Sequence, residues 1–178
     1  MNTITSRLPN SAMSGYDKVF EAGIGNFLFS IKCFLKDYTF DGGKNAGGVI
    51  NHYCKAYNLN QRIILMTVQK EFGALEMAVA PAQSILDKIC GCGVLETGAP
   101  LAKYIGFENQ IAGACATYRF HYNAFHDGIQ AVLTDGKGNT ADTIICGSAI
   151  TYALAKYTPS IQYGINLADK VYTDHFAI

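Results

Sequence analysis

The chain has no tryptophan, and its charge is sparse and balanced: 14 basic and 14 acidic residues among 178, only 16% charged. The missing tryptophan argues against a dedicated carbohydrate-binding module, although its eleven tyrosines could supply aromatic faces instead. A neutral chain offers no electrostatic footprint to nucleic acid or to an anionic membrane. A neutral or weakly charged ligand, such as a sugar polymer, or another protein is the expected partner. The start, MNTITSRLPNSAMSGYDK, has no apolar run and no cleavage pattern, so no signal peptide is expected. The apolar stretch from Gly23 to Leu35 is broken by Lys32 and is shorter than the ~20 residues of a membrane span, so it reads as a buried helix. The four histidines, His52, His121, His126 and His175, show no HxxxH or HExxH spacing. No metal and no cofactor are expected.

What is present is apolar. With 49% hydrophobic residues the chain can bury a sizeable core. Its length suggests one domain, here residues 15–178, preceded by a polar arm over residues 1–14. Cys33, Cys54 and Cys115 fall within apolar helical patterns and read as buried thiols. Cys90 and Cys92 flank one glycine, too close for an ordinary bridge and without a second pair for zinc.

Local signals divide the chain into helices. One is expected from about Tyr16 to Leu35, then a Gly-rich loop from Asp37 to Gly48, then a helix from Val49 to Tyr57. Asn60 is a candidate cap for a helix from Gln61 to Phe72, which Gly73 would end in a left-handed conformation. A short helix over AQSILDKIC leads into a surface loop, GCGVLETGAPLAKYIG, and a helix within Gly106–Phe125 with Ile111, Ala114, Cys115 and Tyr118 on one face. Two β-prone runs flank DGKGN and predict a hairpin. A helix capped by Ser148 stops before Pro159, and a last helix starts near Ile165. The class is mainly α, with one small β-hairpin.

Glu71 lies in the last turn of the helix expected over Gln61–Phe72, beside Val68 and Phe72. The macrodipole and the apolar neighbours both disfavour an ionised carboxylate there, so its pKa is expected to rise towards that of a general acid. The same residue also reads as a solvated glutamate paired with Lys70 or Lys55.

Four segments, NLNQRIILMTVQKEFGALE, SILDKICGCG, KYIGFENQIAGACATYRFHY and CGSAITYALAKYTPSIQ, follow one another in order. Together, over roughly Val49 to Phe176, they resemble lysozyme-like cell-wall hydrolases of bacteria and phages. The resemblance implies a lysozyme-like α+β fold whose substrate is the glycan strand of peptidoglycan. It also implies cleavage of the β-1,4 bond between N-acetylmuramic acid and N-acetylglucosamine. Glu71 would be the catalytic acid and Gln110 a cleft residue beside it. Gly106 and Phe107 would form a turn that approaches the sugar. Tyr157 would line the cleft, with Thr158 and Pro159 fixing its turn. GCGVLE departs from the family's G-Y-G-C-P-D run, which puts the loop from Gly91 to Pro100 in doubt.

Hydrolysis normally needs two carboxyl groups. Glu76, Asp87, Glu96 and Glu108 are the candidates for the second, Glu76 first among them, and none lies in a recognisable motif. A lytic transglycosylase needs only one, and with a single matched glutamate it is the favoured expectation over a muramidase. Lacking an export signal, the chain is expected to act as a phage product, in the virion or as an endolysin at the host periplasm and cell wall. Its arm would then dock on other virion proteins. The competing expectation is an inactive structural virion protein that keeps the lysozyme-like fold.

Overall fold

The computed structural model of the chain describes residues 3–9, 12, 15–40, 43–95, 97–134 and 139–176. These are mainly helical, with one small three-stranded sheet. They fall into two compact units, where a single domain was expected. The described residues of Ser14–Cys115 form one, and those of Met1–Met13 and Ala116–Ile178 the other.

The Ser14–Cys115 unit is built around α3 (Gln61–Phe72). Ile63, Ile64, Leu65, Met66, Thr67 and Val68 are all fully buried, so this helix is enclosed all round at its middle rather than along one stripe. Its ends follow the sequence signals. Asn60 accepts a hydrogen bond from Arg62 N, and Gly73 takes φ 63° at the C-terminus. α1 (Lys18–Ser30) is capped by Asp17, whose carboxylate accepts from Val19 N and Phe20 N. Asp17 also pairs with Arg62 Nη1 at 2.5 Å. The buried Gln61 side chain joins the helix starts, accepting from Asp17 N and donating to Asp17 O and to Asn51 Oδ1. Asn51 belongs to α2 (Ala46–Ala56).

Two boundaries differ from expectation. α1 ends at Ser30, five residues early, because Lys32 adopts φ 54° and turns the chain. Cys33, Phe34 and Leu35 stay buried beyond that break, in a short 3₁₀ turn. α2 starts three residues early, because Asn45 caps it by accepting from Gly48 N. After α3 come a short α4 (Gln83–Leu86), an irregular segment and α5 (Phe107–Asn123), within which the boundary between the units falls.

In the other unit, β2 (Gln130–Thr134) and β3 (Thr140–Cys146) form the expected antiparallel hairpin. Four of the five residues of its DGKGN turn, 135–138, lie outside the described residues. β1 (Thr3–Ile4) pairs in parallel with β3, so the sheet order is β1-β3-β2. Residues 3–8, expected as part of an arm, are therefore part of a folded unit. Ser6 N donates to Thr151 Oγ1 at 2.7 Å, the Ser6 hydroxyl donates to Asp169 Oδ1, and Arg7 N donates to Asp169 Oδ2 at 2.8 Å. These bonds anchor the strand to α6 (Ala149–Tyr157) and α7 (Leu167–Phe176). A π-helical turn, Ile161–Asn166, joins the two helices.

Burial pushes the Asp17 carboxyl up, but hydrogen bonds from Phe20 N and Arg62 outweigh it and hold the group below its usual value. A depressed carboxylate stabilises the fold above its unfolded-state pKa and loses that contribution as pH falls through the folded value. Asp17→Ala is expected to cost about 1–2 kcal/mol at pH 7. In urea melts, the gap to wild type should shrink as the pH is lowered into the acid range.

Candidate functional site

Glu71 stands one residue before the end of α3. Neighbours i and i+1 on a helix do not normally face each other. Here the Lys70 side chain folds across so that Nζ lies 2.5 Å from Glu71 Oε1. The lysine side chain is 3% exposed and the glutamate 24% exposed. The pairing with Lys70 is thus present, but as a largely enclosed contact rather than a solvated one. An ammonium at this end of the helix offsets the unfavourable macrodipole felt by the carboxylate.

The other carboxylate oxygen lies against backbone. Gly91 has φ 68°, and a Cβ built on it would come 3.0 Å from Glu71 Oε2. Only a residue without a side chain leaves this seat open at that φ. The seat is held by Gln110 of α5, which is fully buried. Its Oε1 accepts from Cys90 N at 3.2 Å and Cys92 N at 3.1 Å. Its Nε2 donates to Cys92 O and to Tyr104 O, both at 2.8 Å. A glutamine amide has two donor hydrogens and two acceptor lone pairs, and all are spent on backbone. Gln110 was expected to face a substrate; in the structure it braces the loop that touches Glu71 instead.

Tyr104 closes the same segment. A Cβ on Gly93 would sit 2.0 Å from its ring, and one on Gly113 2.8 Å from it. Two glycines from distant parts of the chain thus make room for one aromatic ring. The stretch from Gly91, expected as surface loop, begins with Cys92 buried.

Gly106, at φ 96°, turns the chain into α5. Phe107 is 2% exposed and stacks on Phe40 with centroids 4.1 Å apart, so it serves mainly the core. Both residues border a cleft of about 310 Å³ whose polar groups come from Tyr38, Gln83, Glu108 and Asn109. Glu108 also borders an adjacent cavity of about 370 Å³ with Lys44 and His52. Hydrogen bonds from Lys44 Nζ and the Tyr53 hydroxyl hold the Glu108 carboxyl below its usual value. Glu71 borders neither cavity.

The other candidate acids have partners of their own. Glu76 is exposed and accepts from Gln69 Nε2 at 2.9 Å. Asp87 accepts from Gln83 Nε2. Glu96 lies outside the described residues. Tyr157 and Thr158 belong to the other unit. There Tyr157 stacks on Tyr118 with centroids 4.2 Å apart and planes 2° from parallel. The Thr158 carbonyl accepts from Ser160 N at 2.7 Å. No cluster of three or more His, Cys, Asp or Glu suited to a metal occurs among the described residues.

Gly91, Gly93, Tyr104 and Gly113 were not singled out from the sequence as site residues. The signal that could have found them is the glycine alternating with cysteine from Cys90 to Gly93. Comparison with protein-family models, with curated proteins and with solved structures gives no match.

Gln110→Ala would leave two buried N–H groups and two carbonyls without their partner. It is expected to cost roughly 2–4 kcal/mol. Gly91→Ala keeps those bonds but strains φ and crowds Glu71, with an expected cost of about 1–2 kcal/mol. Urea denaturation of both variants should rank Gln110→Ala as the more damaging.

Proposed function

We propose that the protein cleaves peptidoglycan glycan strands at the β-1,4 bond between N-acetylmuramic acid and N-acetylglucosamine. In this reading it is a lytic transglycosylase of lysozyme-like fold, with Glu71 as its single acid and base. The observation that carries the reading is the fixed seat of Glu71. The carboxyl group is partly exposed at the end of a buried helix, and one of its oxygens is held against a glycine by a loop that Gln110 braces. An acid oriented this way loses little entropy when it meets a substrate.

The chemistry needs Glu71 protonated first. That proton comes from solvent once an arriving substrate displaces Lys70 Nζ from Glu71 Oε1. The acid then donates its proton to the glycosidic oxygen as the bond to C1 breaks. The N-acetyl group of the muramic sugar stabilises the positive charge developing at C1. Glu71, now a carboxylate, takes the proton of the C6 hydroxyl as that oxygen attacks C1, and a 1,6-anhydro ring closes. One carboxyl group serves both steps. Glu76, Asp87 and Glu108 each have a partner of their own, which favours this route over a two-carboxylate hydrolysis.

A second reading is an inactive structural protein of the same fold. The Lys70–Glu71 pair favours it, as does Glu71's lying outside the linings of both cavities.

Digestion of purified peptidoglycan with mass analysis of the products separates these readings. Wild type should release anhydro-muropeptides, and Glu71→Gln should lower the rate by roughly a hundred- to ten-thousand-fold. Reducing-end products would identify a muramidase and direct attention to Glu76. Absence of cleavage by folded wild type would leave the structural reading.

A further inference from the structure

The proposed chemistry uses none of the buried thiols, yet several are gathered in the Ser14–Cys115 unit. Cys54 of α2 and Cys115 of α5 are fully buried, with sulfurs 3.9 Å apart. Cys90, also fully buried, belongs to the same unit. All six cysteines are buried and none is bridged to another.

We infer that Cys54 and Cys115 are the site of a disulfide that forms when the chain folds in an oxidising environment, cross-linking α2 to α5. The geometry supports this pairing. A disulfide bond is about 2.05 Å long, so the sulfurs need to approach by roughly 1.9 Å. Rotation about one Cα–Cβ bond moves a cysteine sulfur by more than that, so the helices need not be displaced far. The pair is separated by 61 positions in sequence, a loop long enough for closure to restrict the unfolded chain strongly.

Timing follows from burial. Burial, reinforced by Cys115 beside it, pushes the Cys54 thiol well above its usual value. The thiolate is the attacking species, so the folded, reduced protein is slow to oxidise. Closure therefore belongs to folding, while both thiols still meet solvent. One thiolate attacks a disulfide-bearing oxidant, forming a mixed disulfide and releasing one thiol. The second thiolate attacks the protein sulfur of that mixed disulfide and releases the other. Two protons and two electrons leave the protein, and the oxidant is reduced to two thiols. This inference is independent of the proposed glycan chemistry.

The test is to refold the full chain in a buffer of oxidised and reduced glutathione, alkylate the remaining thiols, and map the peptides by mass spectrometry. Before alkylation the expected product is about 2 Da lighter than the reduced chain, consistent with one closed disulfide. It should carry a peptide linking Cys54 to Cys115, and the six free thiols should fall to four. Oxidised wild type should melt roughly 5–10 °C above reduced wild type, and Cys115→Ala should abolish that difference. Six free thiols after oxidative refolding would overturn the inference, as would a bridge involving Cys33, Cys90, Cys92 or Cys146. If Cys115→Ala does not fold, the wild-type peptide map decides alone.

Discussion

One side-chain amide organises the candidate site. Between α4 and α5 the chain has little regular structure beyond one bridge, Val94 to Pro100, and a single 3₁₀ turn. Its buried part, around Cys90 and Cys92, needs partners for its peptide groups, because an unpaired buried N–H or C=O costs more than a hydrogen bond returns. Gln110 supplies four such partners from a residue already fixed in the first turn of a 17-residue helix. It acts as a piece of ladder inserted sideways. The position of Gly91, and so the seat of Glu71, inherits the rigidity of α5 rather than the mobility usual for a loop.

Electrostatics at the other side of Glu71 pull in two directions. The end of α3 disfavours a negative charge, while Lys70 favours one. Lys70 itself is enclosed, and Glu71 is its recorded ion-pair partner. The same close pair lets Glu71 be read either as an acid held in place or as half of a structural ion pair.

Where sequence signals are local, they matched the structure closely. α3 runs from Gln61 to Phe72 with Asn60 and Gly73 at its ends, because capping and left-handed termination depend only on adjacent residues. The end of α1 was harder to see. Cys33, Phe34 and Leu35 continue an apolar helical pattern and are buried, although Lys32 has already broken the helix. Gly47 and Gly48 look like loop residues, yet they occupy the first turn of α2 behind the Asn45 cap. β1 has two residues and a partner about 140 positions away, so nothing near it in sequence marks it. In the site, Gln110 was identifiable but its role was not. Its bonds go to backbone 18 or more positions away on one side and to Tyr104 on the other, which spacing alone does not reveal.

The packing around Tyr104 has a consequence for how this sequence can drift. Its ring occupies the volume that side chains at Gly93 and Gly113 would need. While an aromatic stays at 104, glycine is required at both other positions. Gly113 is confined a second time, because a Cβ there would also come 2.7 Å from Cys92 Sγ. Gly93 remains restricted by its φ of 65°. Descendants of this chain should therefore keep glycine at 113 while cysteine stays at 92, even where the aromatic at 104 is lost, and should hold 93 constant throughout.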